Sequence, residues 1–270
     1  MNTSLKKFSA KKHLGQNFLV DPRVREKIIS ACDLRPEDIV LEIGPGKGLL
    51  TKAIAALVKE VIAVEKDYAL IGELKQIFKD TNVRIVEQDI LKYPFASLPQ
   101  GIKIIGNLPY NIATAIIEKV ILECPQLNSF YMMVQREHAQ RLMAKPHTKE
   151  YGSFTCFVRY YAQVEKMFDV KNTAFRPIPK VRSSFIHLNF HTPPKYKTKN
   201  EKFLFKMIRQ AFLYRRKTLP NTLTHLIEKE YLVSILEKIG IDPRSRPENL
   251  SLEDFIKLSE KIAAIDHSSL

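Results

Sequence analysis

Three glycines at alternate positions fall in the run Glu42-Ile43-Gly44-Pro45-Gly46-Lys47-Gly48. Glycines so placed let a backbone turn tightly and approach a ligand with no side chain in the way. The spacing is GxGxG, not the GxGxxG of dinucleotide binders. A phosphate-binding loop would end in Gly-Lys-Ser/Thr, and here Gly48 is followed by Leu49. The loop, with Gly44 and Gly46 as its contact positions, therefore suits a nucleoside-like ligand without a pyrophosphate. Two acids follow at useful places. Glu65 ends a second apolar run, where a carboxylate can accept hydrogen bonds from both hydroxyls of a ribose. Asp89 ends a third, at Glu87-Gln88-Asp89, placed to meet an adenine amino group.

A fourth feature is Asn107-Leu108-Pro109-Tyr110. As a bare pattern it is ordinary turn chemistry. It also suits one difficult reaction. The exocyclic amine of adenine is a poor nucleophile because its lone pair is delocalised into the ring. Alkylating it calls for acceptors that hold its N–H groups and draw the nitrogen toward a tetrahedral shape. The side-chain oxygen of Asn107 and the backbone carbonyl of Leu108 can be those acceptors, and the Tyr110 ring can stack on an extruded base.

These residues need a scaffold that brings the ends of several strands together. Asp38 to Ile43, Val61 to Glu65, Val83 to Val86, Lys103 to Ile105 and Phe130 to Val134 read as short buried strands. Between them lie stretches with apolar residues three and four apart, such as Leu49, Leu50, Ala53, Ile54 and Leu57. Strands alternating with helices predict an α/β fold, a parallel sheet covered on both faces. Val164 to Val170 and Ser184 to Phe190 have no long helical pattern between them and predict an antiparallel hairpin at one edge. Asp21-Pro22 starts a helix upstream of the sheet: a capping side chain, then proline at the first helical position. After Thr192-Pro193-Pro194 the pattern changes. The reading is a catalytic domain over residues 1–192, a polar and basic linker over 193–200, and a small all-α C-terminal domain over 201–270. Helices are expected there over Phe203 to Tyr214, Leu219 to Ile227, Tyr231 to Ile239 and Leu252 to Ile262.

The chain has 270 residues, with 45% hydrophobic and 27% charged, an ordinary balance for a globular protein. No apolar run approaches the roughly 20 residues that a membrane helix needs. Lysine and arginine total 43 against 29 acids, a net charge of +14. Both parts of the chain are basic, which suggests a polyanionic partner. Lys6, Lys7, Lys11 and Lys12 precede the first acid, Asp21. No arginine occurs before Arg23 and there is no signal-peptide core, so the expected location is cytoplasmic. The three cysteines are scattered and the seven histidines form no cluster, so no metal site is expected.

Four segments resemble one family. They are Lys12-His13-Leu14-Gly15-Gln16-Asn17-Phe18-Leu19, the Glu42 to Gly48 loop, Asn107 to Asn111, and Phe175-Arg176-Pro177-Ile178-Pro179-Lys180-Val181-Arg182-Ser183. Arg215-Arg216-Lys217-Thr218-Leu219 and Arg246-Pro247-Glu248-Asn249-Leu250-Ser251 extend the match into the helical part. The chain resembles the bacterial ribosomal RNA adenine dimethyltransferases that modify two adjacent adenosines near the 3′ end of small-subunit RNA. The resemblance implies a Rossmann-like class I methyltransferase sheet and S-adenosylmethionine as cofactor. It implies a partner in the small-subunit RNA of an assembling 30S particle, met by a monomer. It implies that Asn17 and Leu19 help close over the cofactor, that Gly44, Glu65, Asp89 and Asn107 contact it, and that Phe175 stacks on the target base opposite Tyr110. Lys11, Lys12, Arg215, Arg216 and Lys217 then become candidate phosphate contacts. A related family methylates one large-subunit adenosine and shares the cofactor loop and the Asn-x-Pro-Tyr pattern. The two helical-domain segments favour the small-subunit enzymes. A third reading is an RNA-binding assembly factor whose catalysis is incidental, against which the intact Glu65 and Asn107 to Tyr110 argue.

Overall fold

The computed structural model describes residues 16–266. Contacts between the described residues group them into two units, residues 16–139 with 165–190, and residues 140–164 with 191–266. The second takes in residues 140–164 as well as the helices expected beyond residue 200.

The first unit starts with a short strand, β1 (Phe18–Leu19), followed by α1 (Pro22–Ala31). The helix begins where expected: Asp21 accepts hydrogen bonds from the backbone N–H groups of Arg23 and Val24. Then come β2 (Ile39–Ile43), α2 (Leu49–Ala55), β3 (Glu60–Glu65), α3 (Tyr68–Ile77) and β4 (Val83–Glu87). β5 (Lys103–Asn107), α4 (Ala113–Glu123) and β6 (Ser129–Gln135) complete the parallel part. β7 (Ala162–Val170), a short β8 (Phe175–Arg176) and β9 (Ser183–Phe190) follow. The main sheet has the order β4-β3-β2-β5-β6-β9-β7. β2 pairs in parallel with both β3 and β5, and β9 pairs antiparallel with β6. The chain winds outward from β2 in one direction through β3 and β4, and in the other through β5 and β6. Right-handed crossovers in opposite directions put helices on opposite faces. The crevice between the carboxyl ends of β2 and β5, where the order reverses, is the place such sheets offer a ligand.

A separate two-stranded ladder joins β1 to β8, with Phe18 opposite Arg176 and Leu19 opposite Phe175. These strands are too short to leave an alternating pattern in the sequence. Beneath them lies a core that includes Ile28, Ile54, Val61, Ile105, Met133 and Phe185.

The second unit is helical apart from the start of β7. It contains α6 (Ser153–Tyr161), α7 (Glu201–Leu213), α8 (Leu219–Thr222), α9 (Lys229–Lys238) and α10 (Leu252–Asp266). The residues of α5 (Arg136–Met143) are divided between the two units. Aromatic packing ties α6 to α7: Phe157 meets Phe205 edge to face, with ring centroids 5.2 Å apart. The hydroxyls of Tyr160 and Tyr161 both donate to Glu201. No helix among the described residues is long and apolar enough to cross a membrane.

Candidate active site

A cleft of about 180 Å³ opens where β2 and β5 diverge, and its walls carry most of the residues singled out by the sequence. The glycine loop leaves β2 with Gly44 and Gly46 in left-handed conformations, at φ of +69° and +59°. A Cβ on Gly46 would come within 2.8 Å of the Phe18 ring, whereas one on Gly44 would meet nothing within 4 Å. Gly46 therefore permits close packing of the N-terminal segment, and Gly44 leaves open space in the cleft wall.

Glu65, at the end of β3, is buried and shapes this loop. One carboxylate oxygen accepts from the Gly46 N–H at 3.2 Å, and the other accepts from the N–H groups of Lys66 and Asp67. Burial nonetheless raises its proton affinity above the usual carboxylate range. Asp89 lies past β4 and holds the Lys66 ammonium at 2.6 Å while accepting from the Leu91 N–H. Burial pulls the Asp89 carboxyl upward, but the Lys66 hydrogen bond and charge, the Leu91 N–H and the Lys92 charge together outweigh it and the net shift is downward.

At the end of β5, Asn107 donates through Nδ2 to the backbone carbonyl of Asn17 at 2.8 Å. Because that partner is a carbonyl, the amide orientation is determined: nitrogen faces Asn17, and Oδ1 is left as an acceptor in the cleft wall. The Leu108 N–H bonds the Met133 carbonyl. Tyr110 is half-buried and its hydroxyl bonds Ser183 Oγ at 2.7 Å, which fixes the ring at the cleft wall. Burial pushes its phenol up, so it stays neutral at ordinary pH.

Two expected residues sit differently from the rest. Phe175 has no exposed surface and belongs to the core, with Leu19 opposite it in the short ladder. It lines a second, smaller cavity of about 40 Å³, which shares Phe18, Gly44, Gly46 and Asn107 with the cleft. Leu19 lines that inner cavity rather than the cleft. Of the basic candidates, Lys11 and Lys12 lie outside the described residues. Arg215 is engaged within its own unit: its guanidinium donates twice to Glu248 and once to the Lys149 carbonyl. Arg216 and Lys217 are exposed, and Lys217 sits over the Tyr214 ring.

Sequence reasoning missed several contributors. Gln16 donates to Asp67, Lys66 pairs with Asp89, and Ser183 holds Tyr110. None has a spacing signal of its own. Glu42 is the least expected. In the sequence it is only the start of the glycine run, yet it is 2% exposed and its Oε2 has no partner among the described residues. Thr51 is a polar neighbour, but the pair falls short of hydrogen-bond geometry. Burial first, and the nearby Glu65 charge with it, push the Glu42 carboxyl up to about 7. The residues lining the cleft fit a nucleoside cofactor. Carboxylates stand at or just past two strand ends, and Gly44 leaves the backbone open to a ligand. Among the described residues, no group of three or more His, Cys, Asp or Glu could hold a metal ion.

A mostly parallel seven-stranded sheet with this order, one antiparallel strand beside β6 and a cleft at its switch point define a Rossmann-like methyltransferase. A sequence model of the family described as "Ribosomal RNA adenine dimethylase" matches residues 7–264, and the chain belongs to that family. It is 43% identical over 260 residues to "Ribosomal RNA small subunit methyltransferase A" of Clostridium botulinum (strain Loch Maree / Type A3), covering 94% of each chain. It is 39% identical over 275 residues to the protein of the same name from Halothermothrix orenii, covering 97% of this chain and 91% of the other. Among solved structures it resembles a dimethyladenosine transferase from Plasmodium falciparum, with a TM-score of 0.79, 28% identity and coverage of 94% and 98%. It also resembles the 23S rRNA methyltransferase ErmE, with a TM-score of 0.72, 25% identity and coverage of 92% and 100%.

Proposed function

We propose that this protein transfers methyl groups from S-adenosylmethionine to N6 of two adjacent adenosines near the 3′ end of small-subunit ribosomal RNA. The product is dimethyladenosine, made as a monomer on RNA within an assembling 30S particle, in the cytoplasm where that RNA is found. The observation that carries the reading is the Asn107 amide, oriented by Asn17 so that Oδ1 has no partner among the described residues and shares the cleft wall with Tyr110. The family and the names of its relatives support it. The large-subunit alternative draws support from the likeness to ErmE, at lower identity than the small-subunit relatives.

Bound in the cleft, S-adenosylmethionine supplies an electrophilic methyl group on a sulfonium sulfur. Glu65 would hold the ribose hydroxyls, and Asp89 with its Lys66 partner would meet the adenine edge. Gly44 and Gly46 would admit the cofactor against the backbone, and Asn17 and Leu19 would close over it. Asn107 Oδ1 and the Leu108 carbonyl would accept the N–H groups of the target amine and hold its lone pair toward the methyl donor. Tyr110 would stack on the extruded base, with base–aromatic stacking worth roughly 1–3 kcal/mol. Phe175, fully packed in this structure, would take the opposite face of the base on rearrangement of the residues that cover it. The alkylated nitrogen is acidic and loses its proton to water, so no carboxylate base is needed. Lys11, Lys12, Arg216 and Lys217 would contact phosphates, which position RNA without reading its sequence.

The test is incubation with isotopically labelled cofactor and purified small and large ribosomal subunits lacking the modification, followed by nuclease digestion and mass spectrometry. Label in dimethyladenosine at two adjacent small-subunit positions is expected. Label confined to large-subunit RNA, or none in adenosine, overturns the proposal.

A further inference from the structure

The chain crosses from β8 to β9 through residues 176–182, which carry Arg176, Lys180 and Arg182 and no acid. All three cations are exposed, and none pairs with an acid among the described residues. Arg176 instead turns one guanidinium nitrogen back onto the carbonyls of Thr173 and Phe175. Two large apolar side chains stand out beside them, Ile178 at 52% exposure and Val181 at 44%. Between them Pro179 is buried, and its carbonyl accepts from Asn172 Nδ2. The middle of the loop is thus pinned while its apolar tips are held in solvent.

Both ends of the loop are tied to the cleft. Phe175 pairs with Leu19, next to the cleft residue Phe18. Ser183 bonds Tyr110, and the Arg182 carbonyl accepts from the N–H of Arg136, a further exposed cation. The loop therefore stands at the rim on the Tyr110 side. A lone exposed isoleucine is commonplace on a protein surface. A pinned loop presenting apolar tips among unpaired cations, beside a ring suited to stack a base, is a different object.

We infer that residues 176–182 dock the RNA strand that flanks the target adenosine. Arg136, Arg176, Lys180 and Arg182 hold its phosphates, and Ile178 enters the gap left when the adenosine swings into the cleft, with Val181 against the neighbouring nucleotide. The inference rests on the proposed RNA adenine methylation. Extrusion gives up base stacking. Apolar wedges inserted between bases are a general way to hold an unstacked step open. The wedge acts on the extrusion step, and the cations act on strand affinity, so the two halves of the loop have separable signatures. Ile178 is a positioning residue: it touches the strand beside the reacting adenosine.

Methylation kinetics on unmodified small ribosomal subunits separate these effects. Ile178→Ser should lower kcat roughly tenfold with KM little changed, as expected for lost help in unstacking, and Ile178→Leu should restore most of the rate. The Arg176→Gln/Lys180→Gln/Arg182→Gln variant should raise KM and flatten its log–log salt dependence by about 0.7 for each phosphate no longer neutralised. Unchanged calorimetric affinity for S-adenosylmethionine shows that each variant is folded. Wild-type kcat in Ile178→Ser, or an unchanged salt slope in the triple variant, overturns the inference. So does a loop whose substitutions abolish binding to vesicles of anionic lipid while leaving methylation untouched, which would make it a membrane-surface patch. A wild-type enzyme inactive on both ribosomal subunits sinks the parent reading and this one with it.

Discussion

Substituting Glu42 by Gln should stabilise the protein at alkaline pH. The carboxyl lies near the end of β2 with its Oε2 unpartnered among the described residues and 2% of the residue exposed. Burial holds its proton until about pH 7, against an ordinary 4.5. The folded state therefore binds a proton that the unfolded chain releases, and stability falls as pH rises from the unfolded value to the folded one. Below about pH 4.5 both states carry the proton and Glu42 makes no difference. Above about pH 7 both are ionised, and the folded state bears the full cost of a buried charge. A shift of that size corresponds to about 3 kcal/mol. Gln has nearly the same shape and cannot ionise, so Glu42→Gln should gain about 3 kcal/mol relative to wild type between about pH 4.5 and 8. Urea denaturation of both proteins across this range measures the difference, and contributions from titrating groups not coupled to Glu42, that is, those other than Glu65, cancel in it. A difference that stays flat with pH would refute the reasoning: the carboxyl would then be solvated or paired in the folded protein.

Four further outcomes follow from the geometry. Glu65→Ala should weaken S-adenosylmethionine binding by more than about 1.4 kcal/mol, read by calorimetry; equal affinities would remove Glu65 from the cofactor site. Asn107→Ala should abolish turnover while leaving RNA affinity nearly intact, because phosphate contacts dominate affinity; wild-type rates of dimethyladenosine formation by mass spectrometry would contradict the acceptor role. Phe175→Ala should lower stability by about 3–5 kcal/mol, as for a fully buried aromatic, and chemical denaturation within about 1 kcal/mol of wild type would show that the residue is not packed in the folded protein in solution. Arg215→Ala should destabilise by about 1–2 kcal/mol through the lost fork on Glu248, whereas Arg216→Gln with Lys217→Gln should leave the melting midpoint alone and flatten the salt dependence of RNA binding; the opposite pattern would reverse these assignments.

The parallel sheet is legible because its strands are continuous apolar runs, and the strands Ile39–Ile43 and Glu60–Glu65 start and end within a residue or two of expectation. Glu65, Asp89 and Asn107 are legible for a related reason: polar residues that end apolar runs mark the carboxyl edge of the sheet, and that edge forms one cleft. The β1–β8 ladder is not legible, since two residues per strand carry no periodicity. With it goes the burial of Phe175, which depends on Leu19 lying opposite. α6 escapes notice because Ser153–Tyr161 is short and runs straight into β7 at Ala162, with no glycine, proline or polar turn to mark the change. Glu42 shows a deeper limit. An acid in a glycine-rich run reads as solvated, and only the packing of β2 between β3 and β5 shows it to be enclosed. Arg215 misleads in the opposite sense, because Glu248, its partner, is far away in sequence.

The ladder between Phe18–Leu19 and Phe175–Arg176 also governs when the site can exist at all. Asn17 is bonded to Asn107, and its neighbour Phe18 is paired with Arg176, so one wall of the cleft is built from the first described residues and completed by some of the last in this unit. Contacts between such distant parts of a chain form slowly and late. On a translating ribosome the glycine loop, Glu65 and Asp89 emerge before Asn107 and Arg176, the residues that Asn17 and Phe18 meet in the cleft wall. The cleft closes only after Arg176 has cleared the exit tunnel. The part of the cleft wall that Phe18 and Arg176 share is therefore assembled well after the glycine loop, Glu65 and Asp89 have left the ribosome.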